Sequence, residues 1–251
     1  MGNLIKMDLY RMFKSLGYYI LQCVQILVIL FLTIMMSSVI QPPEEYKMPI
    51  YETFGTGSLI VVCVTVAVYS CILSLSDFNS GYIKNYGGQV TSKIMIIVSK
   101  TVSIGVAVIT LMIPAVIETM VLKYLIYGYL GIDSVGQFVK YIAMEIFLLI
   151  GLGLICMFIS MLIKKSIIAI TICVILGMGM FENIFEESIN EIMSEYIADF
   201  WLSKYTIIGN INFLGEPELS GGYLLAFVVG ALAIICGFLL STLVFNKRDV
   251  V

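Results

Sequence analysis

Residues 17–40 read GYYILQCVQILVILFLTIMMSSVI, without one charged side chain. About 20 apolar residues in helical form cross the hydrocarbon core of a bilayer, so this run reads as a membrane-spanning helix. It is too long for the apolar core of a secretory signal peptide, and no small-residue cleavage site follows it. The stretch is expected to stay in the chain. Working outward, five more apolar segments appear, giving spans at about 17–40, 55–75, 101–122, 141–163, 166–181 and 223–245. The composition agrees: 60% of the 251 residues are hydrophobic and 12% charged, with mean hydropathy +1.04. Soluble domains carry roughly 25% charged residues, so a water-facing enzyme is excluded. The expected fold is all-α: a polytopic membrane protein with six transmembrane helices in a single domain, 1–251.

The chain has no histidine, which removes imidazole bases and imidazole metal ligands. Cys23, Cys63, Cys71, Cys156, Cys173 and Cys236 all lie in apolar runs with no CxxC pair. They read as small packing residues, with neither a disulfide framework nor a metal site expected. The amino terminus lacks the Ser or Thr of a myristoylation signal.

Charge sets the orientation. Lys6, Arg11, Lys14, Lys84, Lys93, Lys100, Lys164, Lys165, Lys247 and Arg248 fall on one side; Lys47, Lys123, Lys140 and Lys204 fall on the other. The positive-inside rule then predicts both termini in the cytoplasm. Asp8, Asp77 and Asp249 share that side. Twelve carboxylates lie opposite, and Glu118 and Glu145 lie within spans.

The connections carry more specific signals. Ile5, Leu9, Met12 and Leu16 recur at helical spacing among Lys6, Arg11 and Lys14, predicting an interfacial amphipathic helix with its apolar face in the headgroup boundary. Between spans two and three, Asp77 is placed to cap a short helix that Gly87-Gly88 would end, and Thr91 or Ser92 to cap the next one. Between spans five and six, Phe185, Ile189, Ile192, Met193, Tyr196 and Phe200 fall on one helical face. Glu187, Glu191 and Glu195 form an acidic ridge on the same stretch. Like charges at that spacing disfavour an isolated helix, so packing or lipid must hold it. The ridge is either a plain solvated face or an anionic vestibule that attracts cations.

Within the spans, Glu118 and Glu145 sit at similar depth in the outer leaflet, with Pro114 one turn before Glu118. Carboxylates in hydrocarbon usually face a cavity or a bundle interior. They are candidate substrate contacts, or else interface and interhelical features. Gln22, Gln25, Thr33 and Ser37 share a face of the first span, either bonding across helices or lining a path. On the sixth, Gly222, Ala226, Gly230, Ala233, Gly237 and Ser241 fall within about 100°, a stripe that lets another helix approach closely.

An amphipathic entry helix, two spans, then Asp77-x3-Gly81-x2-Lys84 and Ser92-Lys93 before a third span: this order resembles the permease subunits of type-2 ATP-binding cassette exporters. It looks most like the small six-span permeases of bacterial lantibiotic and other peptide-antibiotic immunity and efflux systems. The resemblance implies that Asp77, Gly81, Lys84, Ser92 and Lys93 form the segment that couples to the ATPase. It also implies re-entrant outer helices between spans five and six, with Trp201, Tyr205 and Phe213 as interface anchors. No G-x-x-x-x-G-K-[ST] loop is present, so the chain is not expected to be an enzyme or to hold a cofactor. ATP and Mg would be bound by a separate cytoplasmic ATPase. The further partners implied are a second permease copy or a related permease, the lipid bilayer and a cationic amphipathic peptide as substrate, in a bacterial cytoplasmic membrane. Export of a lipid, ion or small drug, or a non-transporting scaffold or sensor role, are the alternatives. A secondary transporter is disfavoured because the six spans show no inverted repeat. Nucleic-acid binding finds no support in the dispersed charge.

Overall fold

The computed structural model describes residues 2–39, 49–79, 93–132, 134–163, 165–194, 200–214 and 222–247, and every regular element among them is helical. The order is α1 (Gly2–Lys14), α2 (Leu16–Val39), α3 (Ile50–Thr53), a π-helical turn (Phe54–Ser58), α4 (Leu59–Asn79), α5 (Lys93–Tyr127) and α6 (Val135–Leu162). Then come α7 (Ser166–Gly177), α8 (Met180–Ser194), a 3₁₀ turn (Leu202–Tyr205), α9 (Ile207–Phe213) and α10 (Gly222–Lys247). Five helices, α2, α4, α5, α6 and α10, are long and apolar enough to cross a membrane; α7 with α8 makes a sixth if the bent pair counts as one span.

Several boundaries differ from the sequence reading. The third span was expected over 101–122, but α5 is 35 residues long and runs on past both lysines that bracket that segment. Lys100 and Lys123 are fully buried. Lys100 Nζ donates to the Leu73 carbonyl at 2.8 Å, and Lys123 Nζ donates to Thr53 Oγ1 at 2.9 Å. Twenty-three positions separate them, about 35 Å of α-helix. That is close to a hydrocarbon core of roughly 30 Å, and at each end the ammonium donates to a neighbouring helix.

The expected fifth span, 166–181, does not form as one rod. α7 has 12 residues, about 18 Å, too short to cross alone. Gly179 adopts φ +69°, and the Met178 and Gly179 amides close the last turn on Val174 and Leu176 carbonyls at 2.9 and 3.0 Å. A left-handed glycine ends a helix at little cost, and α8 departs at 53° to α7. The expected capping role of Asp77 is also corrected: α4 continues through it to Asn79, so Asp77 is an interior helical residue, and the rest of the expected short helix, with Gly87-Gly88, lies outside the described residues.

α6 is the central helix. It packs along α10 and also contacts α4, α5, α7 and α9. The approach to α10 is set by the small-residue stripe. A Cβ at Gly237 would stand 2.9 Å from Leu154 Cβ, and one at Gly230 would stand 2.7 Å from the Phe147 ring. On α10 the buried residues are Ala226, Val229, Gly230, Ala233, Gly237, Ser241 and Phe245, so the stripe is the contact face. Part of the apolar stripe of α1 turns the other way from its expected lipid exposure. Met12 is buried and Leu9 packs on the bundle core, because Asp8, buried on the same face, accepts the Ser99 hydroxyl of α5 at 2.6 Å.

Candidate functional site

The two in-span carboxylates occupy different surroundings. Glu145 on α6 is fully buried. Tyr141 one turn earlier, Cys63 of α4 and Tyr223 of α10 lie within electrostatic reach of it. Among the described residues neither carboxyl oxygen makes a well-formed hydrogen bond, although the Tyr141 hydroxyl comes within hydrogen-bonding reach. Glu118 on α5 is half-buried, and both its oxygens are unpartnered among the described residues. No hydrogen bond joins the two. α5 passes through Pro114 as one continuous helix, and Thr119, the residue after Glu118, bonds Ser58 at 2.7 Å.

Gln22 and Gln25 tie α2 to its neighbours. Gln25 is fully buried; its Nε2 donates to the Leu111 carbonyl at 2.9 Å and its Oε1 accepts from Thr65 at 2.9 Å. One amide therefore joins α2, α5 and α4. Gln22 Nε2 donates to the Thr110 carbonyl at 3.3 Å. Tyr18 bonds Thr110 Oγ1 at 2.5 Å. These polar groups are occupied by interhelical bonds. Thr33 and Ser37, on the same face, bond carbonyls of their own helix.

On the end carrying α1, Asp77 lies in the last turns of α4 and Lys93 opens α5. Gly81, Lys84 and Ser92 lie outside the described residues. The helices flanking that segment are held together. Asp8 bonds Ser99 and faces Arg11 at 3.9 Å, while Lys100 reaches Leu73. A groove of about 430 Å³ runs between α1 and α4, with Asp8, Arg11, Lys14, Tyr69 and Ser76 on its walls.

At the other end, Glu187 and Glu191 are exposed on α8, as a ridge requires, and Glu195 lies outside the described residues. The expected apolar face is divided: Phe185 and Ile189 line a pocket, whereas Ile192 is 61% exposed. A residue that the sequence reading passed over, Glu182, sits in this pocket. Its Oε1 accepts the Thr206 hydroxyl, and its Oε2 is buried with no partner among the described residues. The Gly177-Met178-Gly179 punctuation was the available signal. Taken as a helix end, it moves the outer helix forward and puts Glu182 in its first turn, on the same face as Phe185 and Ile189.

Cys71, Cys156 and Cys173 meet where α4, α6 and α7 pack. The thiols of Cys71 and Cys173 both donate to the Cys156 carbonyl, at 3.9 and 3.7 Å. Among the described residues no three Cys, Asp or Glu side chains are arranged to hold a metal ion. Compared with known proteins, the chain matches no family model and no curated relative.

Proposed function

We propose that this chain is the transmembrane permease subunit of an ATP-binding cassette exporter, moving a cationic amphipathic peptide out of a bacterial cell or its membrane. A separate cytoplasmic ATPase supplies the energy, a second permease completes the transporter, and both termini face the cytoplasm. The observation that carries the reading is the segment from Asp77 to Lys93, with its Asp-x3-Gly-x2-Lys and Ser-Lys pattern. In the chain it links α4 to α5, two helices cross-tied to each other and to basic α1 by Lys100–Leu73 and Asp8–Ser99. Such a mounting suits a segment that must pass a push from a soluble motor into the bundle. The acidic side chains at the far end suit a cationic cargo. Export of a lipid, ion or drug lacks an equivalent observation.

The test is co-purification with a phosphate-loop ATPase from the same cell, followed by ATPase assays in lipid nanodiscs with a cationic amphipathic peptide. The wild-type complex should be stimulated by the peptide. Gly81→Trp with Lys84→Glu should insert normally, since neither residue lies in a span, yet lose the ATPase or its stimulation. An unchanged, fully stimulated ATPase bound to that double variant would remove the assignment. Labelling of Asn190→Cys, in a cysteine-free background, by an impermeant reagent only after cell lysis would reverse the orientation.

A further inference from the structure

The pocket beneath α8 is built from four pieces of chain. α6 contributes Leu152 and Ile155, α7 contributes Leu176, α8 contributes Phe185 and Ile189, and the 3₁₀ turn with α9 closes the far wall. Its volume is about 330 Å³, at the lower edge of the roughly 300–1,000 Å³ that small-molecule sites occupy. The walls are almost wholly apolar, and among the described residues Glu182 is their one charged group.

That carboxylate is held in place from one side only. Thr206, the N-cap of α9, receives the Gly209 amide at 3.1 Å and gives its own hydroxyl to Glu182 Oε1. A Cβ on Gly209 would collide with both Oε1 and the Ser203 carbonyl, so the bare glycine is what lets the carboxylate come so close. A Cβ on Gly179 would stand 2.9 Å from Ile208, so the floor depends on a second bare position. Oε2 is left buried and unbonded. Lys204, the basic residue of the adjoining turn, makes no ion pair with it among the described residues, and the acidic Glu186 lies within electrostatic reach. An orphaned buried acceptor costs roughly 1–3 kcal/mol, and a cationic donor relieves that cost best. An anionic amphiphile is repelled, and a neutral one such as an alcohol can meet the oxygen only with an uncharged donor, which binds a carboxylate more weakly.

We propose that this pocket binds a cationic amphiphilic segment, with an ammonium group on Glu182 Oε2 and an apolar body among Leu152, Phe185 and Ile207. On the transport reading given above, which this inference deepens, it is the place where one basic side chain of the peptide and its apolar neighbour first engage the permease.

Trp201 adjoins the site and serves as its reporter. It is the only tryptophan in the chain. It precedes Leu202, a wall residue whose amide is pinned to Asn190 of α8 at 2.8 Å. The experiment titrates the permease, in nanodiscs of neutral lipid without ATPase or nucleotide, with octylammonium and separately with octanol, following Trp201 emission. Octylammonium should give a saturable shift whose midpoint rises about ten-fold in Glu182→Gln, which keeps the Thr206 bond and loses the charge. Octanol should give only a weak shift, the same in both proteins. Ile189→Phe fills the pocket from α8 without touching the carboxylate, and should weaken octylammonium binding while leaving thermal stability near wild type. It serves as the decisive variant if Glu182→Gln is poorly folded. Equal octylammonium midpoints in wild type and a folded Glu182→Gln, or octanol binding as tightly as octylammonium, would overturn the proposal. Because no ATPase is present, the two readings fail separately. Octylammonium binding without peptide-stimulated ATPase activity keeps the site and removes peptide export, and the converse removes the site.

Discussion

α2 and α10 are both nearly uniform apolar helices, yet they join the bundle in opposite ways. The mean hydropathy of their spans is 2.3 and 2.7, so overall hydrophobicity does not tell the two apart. α10 docks by shape. Its small residues admit Phe147 and Leu154 of α6 to backbone distance. α2 leaves most of its surface outside the bundle, with Leu27 at 65% and Phe31 at 56% exposed, and attaches through Tyr18, Gln22 and Gln25. The difference shows what does the selecting. Lipid tails are as apolar as Leu, so hydrophobicity cannot distinguish a helix neighbour from the bilayer. Close packing and interhelical hydrogen bonds must do so.

Four substitutions test that contrast, from the largest effect to the smallest, each read as a shift in unfolding midpoint in one fixed detergent. Gly237→Leu should be the most damaging, about 3 kcal/mol or more, because the added atoms meet the Leu154 backbone carbon at 3.0 Å and not just a movable side-chain tip. Wild-type stability in that variant would mean that α10 does not depend on its small stripe. Glu145→Met should go the other way, gaining about 1–3 kcal/mol by replacing a buried carboxyl that makes no well-formed hydrogen bond with an apolar side chain of similar length. A lower midpoint would show that the carboxyl holds a bond that stabilises the bundle. Gln25→Leu should cost about 1 kcal/mol, since Thr65 retains its bond to the Val62 carbonyl. A loss as large as that of Gly237→Leu would make the polar clasp equal to the packed stripe. Ser160→Ala should cost roughly 0.5 kcal/mol or less. Its partner Ser74 still bonds the Ser70 and Cys71 carbonyls. A cost above that of Gln25→Leu would reverse the order.

The long charge-free runs made the helices legible, and the spacing of Gly230, Ala233 and Gly237 made the contact face of α10 legible too. Both are local properties of consecutive residues. The length of α5 was not legible, because Lys100 and Lys123 look like loop residues until a carbonyl from α4 and a hydroxyl from α3 are seen to receive them. The candidate site was only partly legible. Glu145 stood out as a carboxyl in an apolar run, and Glu187 with Glu191 stood out by spacing. Glu182 looked like the first polar residue after a span and nothing more.

The sequence alone determined that this chain is helical, apolar enough for a membrane several times over, and basic chiefly on one side. Hydropathy and charge act on each segment through the solvent around it, so no partner has to be known to read them. Tertiary structure decided the rest: which amide bridges α2, α4 and α5, where α7 stops, and how Glu182, Thr206 and Gly209 come together. Those outcomes join positions as far apart as Gln25 and Leu111. They rest on distances of a few tenths of an ångström between faces that chain order does not pair.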